Sequence, residues 1–319
     1  MAVNAFTRLF HRLLIQKRES FWGSHFLVCW LLLIGLAAHG QPTRRVILDA
    51  DTGNEVDDLY AISRALIEPS WEVLALNATQ WQASHWAVPE SMENSHRLNQ
   101  TLAEQLGKKV PLKRGGSTRM YDWGDQAQHS AAAYEMIKQA KQTPVGQKLT
   151  VVALGALTNV ASAVYIDPTI ADRLEVYWLG SSYDFEQGTL KLTEFNCVMD
   201  VQALHLMMQS SVEMHVMPVN VARALTFSYA ETEARLRGVH PLGTLLVERW
   251  FNHLGGGRVT RVIWDLAVVE ALIHPEWAGQ VEVMTSKDNG NRRIWFYKTI
   301  KADLMKADFF EKLLAYLKR

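Results

Sequence analysis

Val46-Ile47-Leu48-Asp49-Ala50-Asp51-Thr52-Gly53-Asn54-Glu55-Val56-Asp57-Asp58 is the stretch that decides the fold. Three β-prone apolar residues read as a buried strand, Gly53 and Asn54 punctuate a loop, and Leu59-Tyr60-Ala61-Ile62-Ser63-Arg64-Ala65-Leu66 has helical spacing. Four aspartates and one glutamate therefore crowd one strand-to-helix turn. Like charges at that density repel unless a cation or strong donors compensate. Hard oxygen ligands on a bent loop suit Ca²⁺ or Mg²⁺, and the carboxyl end of a strand is where ligands bind in an open α/β sheet. The plainer alternative is a solvated loop whose Asp57 and Asp58 favour the positive end of a helix dipole. Four aspartates together favour metal binding or catalysis.

Working outward, strand-like segments at 71–76, 110–112, 149–154, 174–179 and 214–221 alternate with helix-like ones at 92–105, 131–141 and 158–165. Continuous apolar strands in that alternation predict an α/β fold, a mostly parallel open sheet flanked by helices. Asn289-Gly290 between β-rich runs at 280–284 and 293–297 predicts a hairpin, and residues 307–317 an amphipathic closing helix. No linker or repeat interrupts the chain after Arg45, so residues 42–319 read as one catalytic domain.

Of 319 residues, 48% are hydrophobic, enough for a sizeable core, and 33 acidic side chains balance 33 basic ones. That balance argues against a nucleic-acid partner. The two cysteines, Cys29 and Cys197, make no structural disulfide: Cys29 lies in the leader and Cys197 reads as a small core residue. In that leader, Arg8, His11, Arg12, Lys17 and Arg18 precede an apolar run at 26–38, and Ala38-His39-Gly40 offers small residues for cleavage. Residues 1–41 are expected to be a signal peptide; the rival reading is an uncleaved membrane anchor through residues 26–38. Either way the globular part is expected to be exported, periplasmic or extracellular.

Three further clusters carry polar chemistry. In Thr193-Glu194-Phe195-Asn196, an extended backbone would point Glu194 and Asn196 to one side, a pair suited to gripping vicinal hydroxyls; a polar strand end with an Asx-turn at Asn196 fits as well. Asp265 interrupts the apolar stretch Val262 to Val269, so it needs a counter-charge, donors or a metal, unless it caps the following helix. Gly155-Ala156-Leu157-Thr158-Asn159 is another strand-to-helix turn, able to lend a carbonyl to a metal or amides to an anion.

Taken in chain order, these four clusters resemble the nucleoside hydrolase family of the inosine–uridine-preferring type, over roughly residues 44–319 and as a divergent, exported branch. The resemblance implies one Ca²⁺ at the carboxyl end of the sheet, with Asp51, Asp58 and Asp265 as side-chain ligands and Leu154 lending its carbonyl. It makes Asp51 the base that activates the attacking water. Asp57 and Asn196, with Glu194 beside them, match groups that hold the ribose hydroxyls, and Asp49 supports the loop. It also implies a homo-oligomer and a small nucleoside substrate. The residue types suit cleavage of an N-glycosidic bond, where carboxylates stabilise an oxocarbenium-like ribose and a base opposite the leaving group implies inversion.

The chain departs from the family in four places. Asp51 and Asp57 stand two residues further apart than usual; a gap keeps Asp49 and Asp51 at the strand end, whereas an ungapped alignment puts Gly53 where the base belongs. Trp264 replaces the histidine that many members carry before the late aspartate, so leaving-group activation comes from elsewhere or from stacking. Trp81-Gln82 replaces a Gly-Asn pair, and Asn220 stands where an aspartate is common. Trp81, Trp86, Trp123 and Trp264 are candidate base-stacking residues, and His85, His96 and His129 candidate acids, although each one reads more simply as packing, surface or helix cap. Arg114 reads as structural, tying a loop to a carboxylate. Two rivals remain: a hydrolase of another pentosyl glycoside on the same scaffold, and a Ca²⁺-dependent nucleoside-binding protein without turnover. A phosphohydrolase is disfavoured, because no Gly-Lys-Thr/Ser loop is present.

Overall fold

The computed structural model describes residues 43–319; the segment expected to be a signal peptide or anchor, with Ala38-His39-Gly40 and Cys29, lies outside the described residues. Among the described residues, twelve strands occur in the order β1 (Arg44–Ala50), β2 (Trp71–Ala78), β3 (Leu112–Arg114), β4 (Leu149–Ala153), β5 (Leu174–Leu179), β6 (Ser182–Asp184), β7 (Thr189–Lys191), β8 (Glu213–Met217), β9 (Thr226–Ser228), β10 (Thr260–Val262), β11 (Ala278–Met284) and β12 (Arg293–Ile300). The helices are α1 (Asp57–Ile67), α2 (Ser91–Gln105), α3 (Ala131–Gln142), α4 (Thr158–Ile166), α5 (Phe195–Met199), α6 (Val201–Gln209), α7 (Val219–Ala222), α8 (Tyr229–Leu236), α9 (Pro241–Asn252), α10 (Trp264–Ile273) and α11 (Ala302–Leu317).

Eight strands form one sheet in the order β11-β12-β8-β5-β4-β1-β2-β3. All neighbours run parallel except β11, which pairs antiparallel with β12 through the expected hairpin. Successive residues of β1 serve opposite faces, as the two-residue period of a strand requires. Val46, Leu48 and Ala50 join a core with α1, α9, α10 and α11. Ile47 joins the other core with α3, α4 and α6. With both faces covered, the central strands are near-continuously apolar, which is why they could be read from sequence.

The strand order reverses between β1 and β4, and such a switch point opens a crevice at the carboxyl ends. Below that crevice α1 and α10 lie side by side. Two turns from their N-termini, buried Arg64 of α1 pairs with Glu270 of α10 at 3.2 Å and with Asp308 of α11 at 2.7 Å. Cys197 is buried and free. No helix among the described residues is long and apolar enough to cross a membrane.

Two strand expectations are corrected. The segment expected at 214–221 stops as a strand at Met217, because Pro218 cannot donate to a ladder and instead opens the short helix α7. The short strand expected at 110–112 lies at Leu112–Arg114, its register set by Leu76 opposite Leu112. The hairpin β6–β7, the pair β9–β10 and helices α6, α8 and α9 were not anticipated.

Candidate active site

Asp51 directly follows β1, and Leu154 directly follows β4 across the switch point, where its amide donates to the Asp49 carbonyl at 2.8 Å. Together with Asn54, Glu55, Asp57, Asp58, Trp86, Leu179, Glu194, Phe195, Asn196, Val219, Trp264 and Asp265 they line one cavity of about 250 Å³. Every expected site residue except Asp49 faces it. Asp49 sits beneath the floor, fully buried, accepting from Asn159 Nδ2 and Thr79 Oγ1 at 2.9 Å each. Burial raises its carboxyl to about 6. The supporting role expected for Asp49 thus has a physical form: with Asn159 it ties the β1 end to the start of α4.

Loop geometry accommodates the two extra residues of the first turn. Gly53 takes φ +95° and packs against α2, where a Cβ would stand 2.4 Å from Leu98 Cδ1. Gly53 therefore does not line the cavity, whereas Asp51, Asp57 and Asp58 all do, as the gapped alignment requires. Gly155 is needed for a different reason: a Cβ there would lie 2.8 Å from Asp51 Cγ.

Four aspartates form the floor. Carboxylate oxygens of Asp57, Asp58 and Asp265 lie within 4.8 Å of one another. Asp51 is beside them but outside that trio, so the structure gathers Asp57 where the resemblance implied Asp51. Asp265 does not cap its own helix. Its backbone amide donates instead to Asp57 Oδ2 at 3.1 Å, so α1 supplies the cap for α10. Asp51 Oδ2, Asp58 Oδ1 and Asp265 Oδ1 are buried and have no hydrogen-bond partner among the described residues. Burial first, and then the neighbouring acids, push Asp51, Asp58 and Asp265 well above the usual carboxylate range. Asp57 rises to about 7 through burial and nearby Glu55. Buried, unpaired, mutually repelling carboxylates are costly unless a cation joins them, and an all-oxygen donor set with a carbonyl at hand fits a hard divalent ion.

The Glu-Phe-Asn segment is not extended. Glu194 is the N-cap of α5, accepting from the amides of Ser181, Asn196 and Cys197 at 2.9 to 3.2 Å. Its three amide donors favour the anion, yet burial raises it overall. Asn196 lies in the first turn and donates from Nδ2 to the carbonyls of Leu154 at 2.8 Å and Leu179 at 3.0 Å. Its Oδ1 remains available, and Glu194 and Asn196 still share the cavity wall.

Aromatics line the same cavity. Trp86 stacks on Phe195 with centroids 5.3 Å apart, and its Nε1 donates to Asn54 Oδ1 at 3.0 Å. Trp264 borders the same space. Trp81 is buried behind it, bonded to Ser95, and Trp123 is 84% exposed in the separate Thr118–Asp125 segment. No histidine lines this cavity among the described residues. His96 is buried in α2 rather than on the surface, and His129 is exposed, pairing with Asp125. Arg114 forms the expected structural clamp, bidentate to Glu93 at 2.7 and 2.9 Å. Asn220 holds the β6 turn through the Tyr183 backbone. The sequence reading gave no role to Asn54, Glu55, Phe195 or Val219, nor to Asp200 beneath the site, which accepts from Thr158, Met120 and Ala203. Asn54 and Glu55 lie within the quoted 46–58 stretch, where their types mark a polar loop and carry no further signal.

A model of the inosine-uridine preferring nucleoside hydrolase family matches residues 46–298. An inosine-uridine preferring nucleoside hydrolase of Leishmania major is 26% identical over 224 residues, 64% of this chain and 69% of that protein. The non-specific ribonucleoside hydrolase RihC of Salmonella paratyphi B is 23% identical over 248 residues, 72% and 79% of the two chains. Among solved structures, a plant nucleoside hydrolase, PpNRh1, superposes with a TM-score of 0.70 at 20% identity, covering 86% of this chain and 100% of its own. A purine-preferring ribonucleoside hydrolase from Gardnerella vaginalis gives 0.67 at 19%, covering 86% and 99%.

Proposed function

We infer the reaction of this cavity from the premise that the chain belongs to the inosine-uridine preferring nucleoside hydrolase family. It is a hydrolase of N-glycosyl bonds in ribonucleosides. The finer proposal is a Ca²⁺-dependent reaction in which the ribose lies over the aspartate floor and the base lies against Trp86 and Trp264.

The observation that carries it is the set of buried carboxylate oxygens on Asp51, Asp58 and Asp265 that nothing else satisfies. Asp58 and Asp265, with Asp51 or Asp57 and the Leu154 carbonyl, would hold the cation. When bound, it supplies the positive charge that keeps these acids ionised and a Lewis acid for nearby oxygens. Asp51 takes a proton from the attacking water. The water oxygen bonds to the anomeric carbon, the C–N bond breaks, and its electron pair leaves with the base. The remaining carboxylates stabilise the positive charge that builds on the ribose. Asn196 Oδ1 and Glu194 accept from ribose hydroxyls, positioned by the carbonyls and amides that hold them. Without a histidine at the wall, the departing base is supported by stacking, and Trp86 is pre-set for that by Phe195 and Asn54. The proposal extends to export through residues 1–41 and to self-association, which rest on the leader's sequence and on the resemblance.

The test incubates the purified protein with a panel of neutral nucleosides, with Ca²⁺ or with chelator, and follows free ribose. Release only with Ca²⁺, abolished in Asp51→Asn, is expected. An Asp51→Asn protein that keeps turnover overturns the assignment of the base. Nucleoside binding without release in the unaltered protein makes it a binder.

A further inference from the structure

A second cavity, of about 280 Å³, adjoins the first and is lined by Glu55, His85, Trp86, His253, Leu254, Arg258 and Arg261. Glu55 and Trp86 line both, so the two spaces meet at those side chains. Their electrostatics are opposite. The first has an aspartate floor; the second sets two guanidinium groups against one carboxylate, and that pair is loose, with Arg261 Nη1 and Glu55 Oε2 3.9 Å apart.

The fold uses these arginines only in part. Arg261 is 4% exposed; its Nη2 donates to the Leu254 carbonyl at 2.9 Å and also reaches the Trp250 carbonyl at 3.4 Å, but its buried Nε has no partner among the described residues. Arg258 is exposed and its side chain makes no hydrogen bond or ion pair among them. Behind them Arg249 of α9 is half-buried, its Nε likewise buried and unsatisfied. Burial first, and then the charges of Arg261, Arg249 and Arg258, lowers His253 to about 4. A buried guanidinium with an unsatisfied donor, as in Arg261, is costly, and the fork of donors on Arg261 and on exposed Arg258 matches a carboxylate or phosphate.

We propose that this cavity is an anion subsite of the active site, receiving a phosphate or carboxylate carried by the substrate, so that the enzyme favours negatively charged ribosyl compounds over neutral nucleosides. The inference rests on the hydrolase reading above: a substrate whose ribose covers the aspartate floor reaches past Trp86 into the arginines.

The experiment measures kcat/KM on two matched pairs with Ca²⁺ present. Inosine against inosine 5′-monophosphate places the charge on the ribose, and uridine against orotidine places it on the base. The anionic member of one pair is expected to be preferred at least tenfold, and which pair it is names the source. That ratio should fall at least tenfold in Arg258→Ala, recover in Arg258→Lys, and stay unchanged in Arg293→Ala, which removes an exposed arginine at the start of β12. Neutral members cleaved as fast as the anionic ones overturn the subsite and leave the hydrolase standing. If none of the four is cleaved, the hydrolase reading fails instead. Tryptophan-fluorescence titration with inosine 5′-monophosphate and with orotidine then decides the subsite: binding weakened at least tenfold in Arg258→Ala supports it, and equal or absent binding refutes it.

Discussion

Replacing Asp265 by Asn should stabilise the cation-free protein and destabilise the cation-loaded one, relative to the unaltered chain. Asp265 shares a 4.8 Å cluster with Asp57 and Asp58. At that separation and an effective dielectric of about 20, each ionised pair repels by about 3.5 kcal/mol. Protonation relieves part of this, as the raised carboxyls indicate, so the net gain in chelator is set at about 2 kcal/mol. The asparagine keeps the backbone amide that donates to Asp57, and its new Nδ2 can donate to the unsatisfied Asp58 Oδ1. For a domain of this size that gain raises the unfolding midpoint by about 4–8 °C. With Ca²⁺ at about a thousand times its dissociation constant, the unaltered protein gains about 4.1 kcal/mol, most of which the variant forgoes. Calorimetric melting of both proteins in chelator and in Ca²⁺ should therefore show curves that exchange order. A variant less stable than the parent in chelator as well would refute the reasoning, because Asp265 would then be held by structural contacts rather than strained by charge.

Stability in chelator should fall by about 2 kcal/mol between pH 6.5 and 8. Asp57 and Glu270 titrate at about 7 and about 8 when folded, so the stability they contribute is present at low pH and lost as pH rises through those values. His253, lowered to about 4, acts in the opposite direction but only below its ordinary value near 6.5, and denaturant titrations at several pH values would read the sum. Gly155→Ala should cut kcat about a hundredfold or more while melting stays cooperative, since its Cβ displaces the Asp51 carboxylate 2.8 Å away; unchanged ribose release would show that Asp51 is not the base. Trp86→Ala or Trp264→Ala should each weaken substrate use by about 5- to 150-fold, the span that stacking of ~1–3 kcal/mol allows. The same loss in Trp123→Ala would remove any special role for the cavity pair.

The central strands and the aspartate floor were legible because their causes are local. Val46-Ile47-Leu48 is apolar on both faces, and acids packed into one turn mark a candidate site by their mutual repulsion. Glu194-Phe195-Asn196 misled because its helix is only one turn long and exists through tertiary donors: Ser181 completes the Glu194 cap, and the Leu154 and Leu179 carbonyls hold Asn196. Residues 214–221 misled through apolar composition, which does not show that Pro218 ends the ladder. That Asp57 caps α10 was invisible, since its donor lies more than two hundred positions away. The arginine cavity gave no signal for a related reason. Its basic residues share the 253–261 stretch, but Glu55, His85 and Trp86 meet them only through the fold, and zero net charge over the whole chain conceals local excess.

The lock formed by Arg64, Glu270 and Asp308 touches neither cavity, yet it fastens the two helices whose first turns carry Asp57, Asp58 and Asp265. Loss of Arg64 alone takes from buried Glu270 its one cationic partner among the described residues, whereas Asp308 keeps Lys312 and His274 nearby, and breaking such a buried pair costs about 3–5 kcal/mol. Such a chain would pass any inspection of its signature residues and still be broken. Judging which relatives are living enzymes therefore requires looking at this remote trio as well as at the motif.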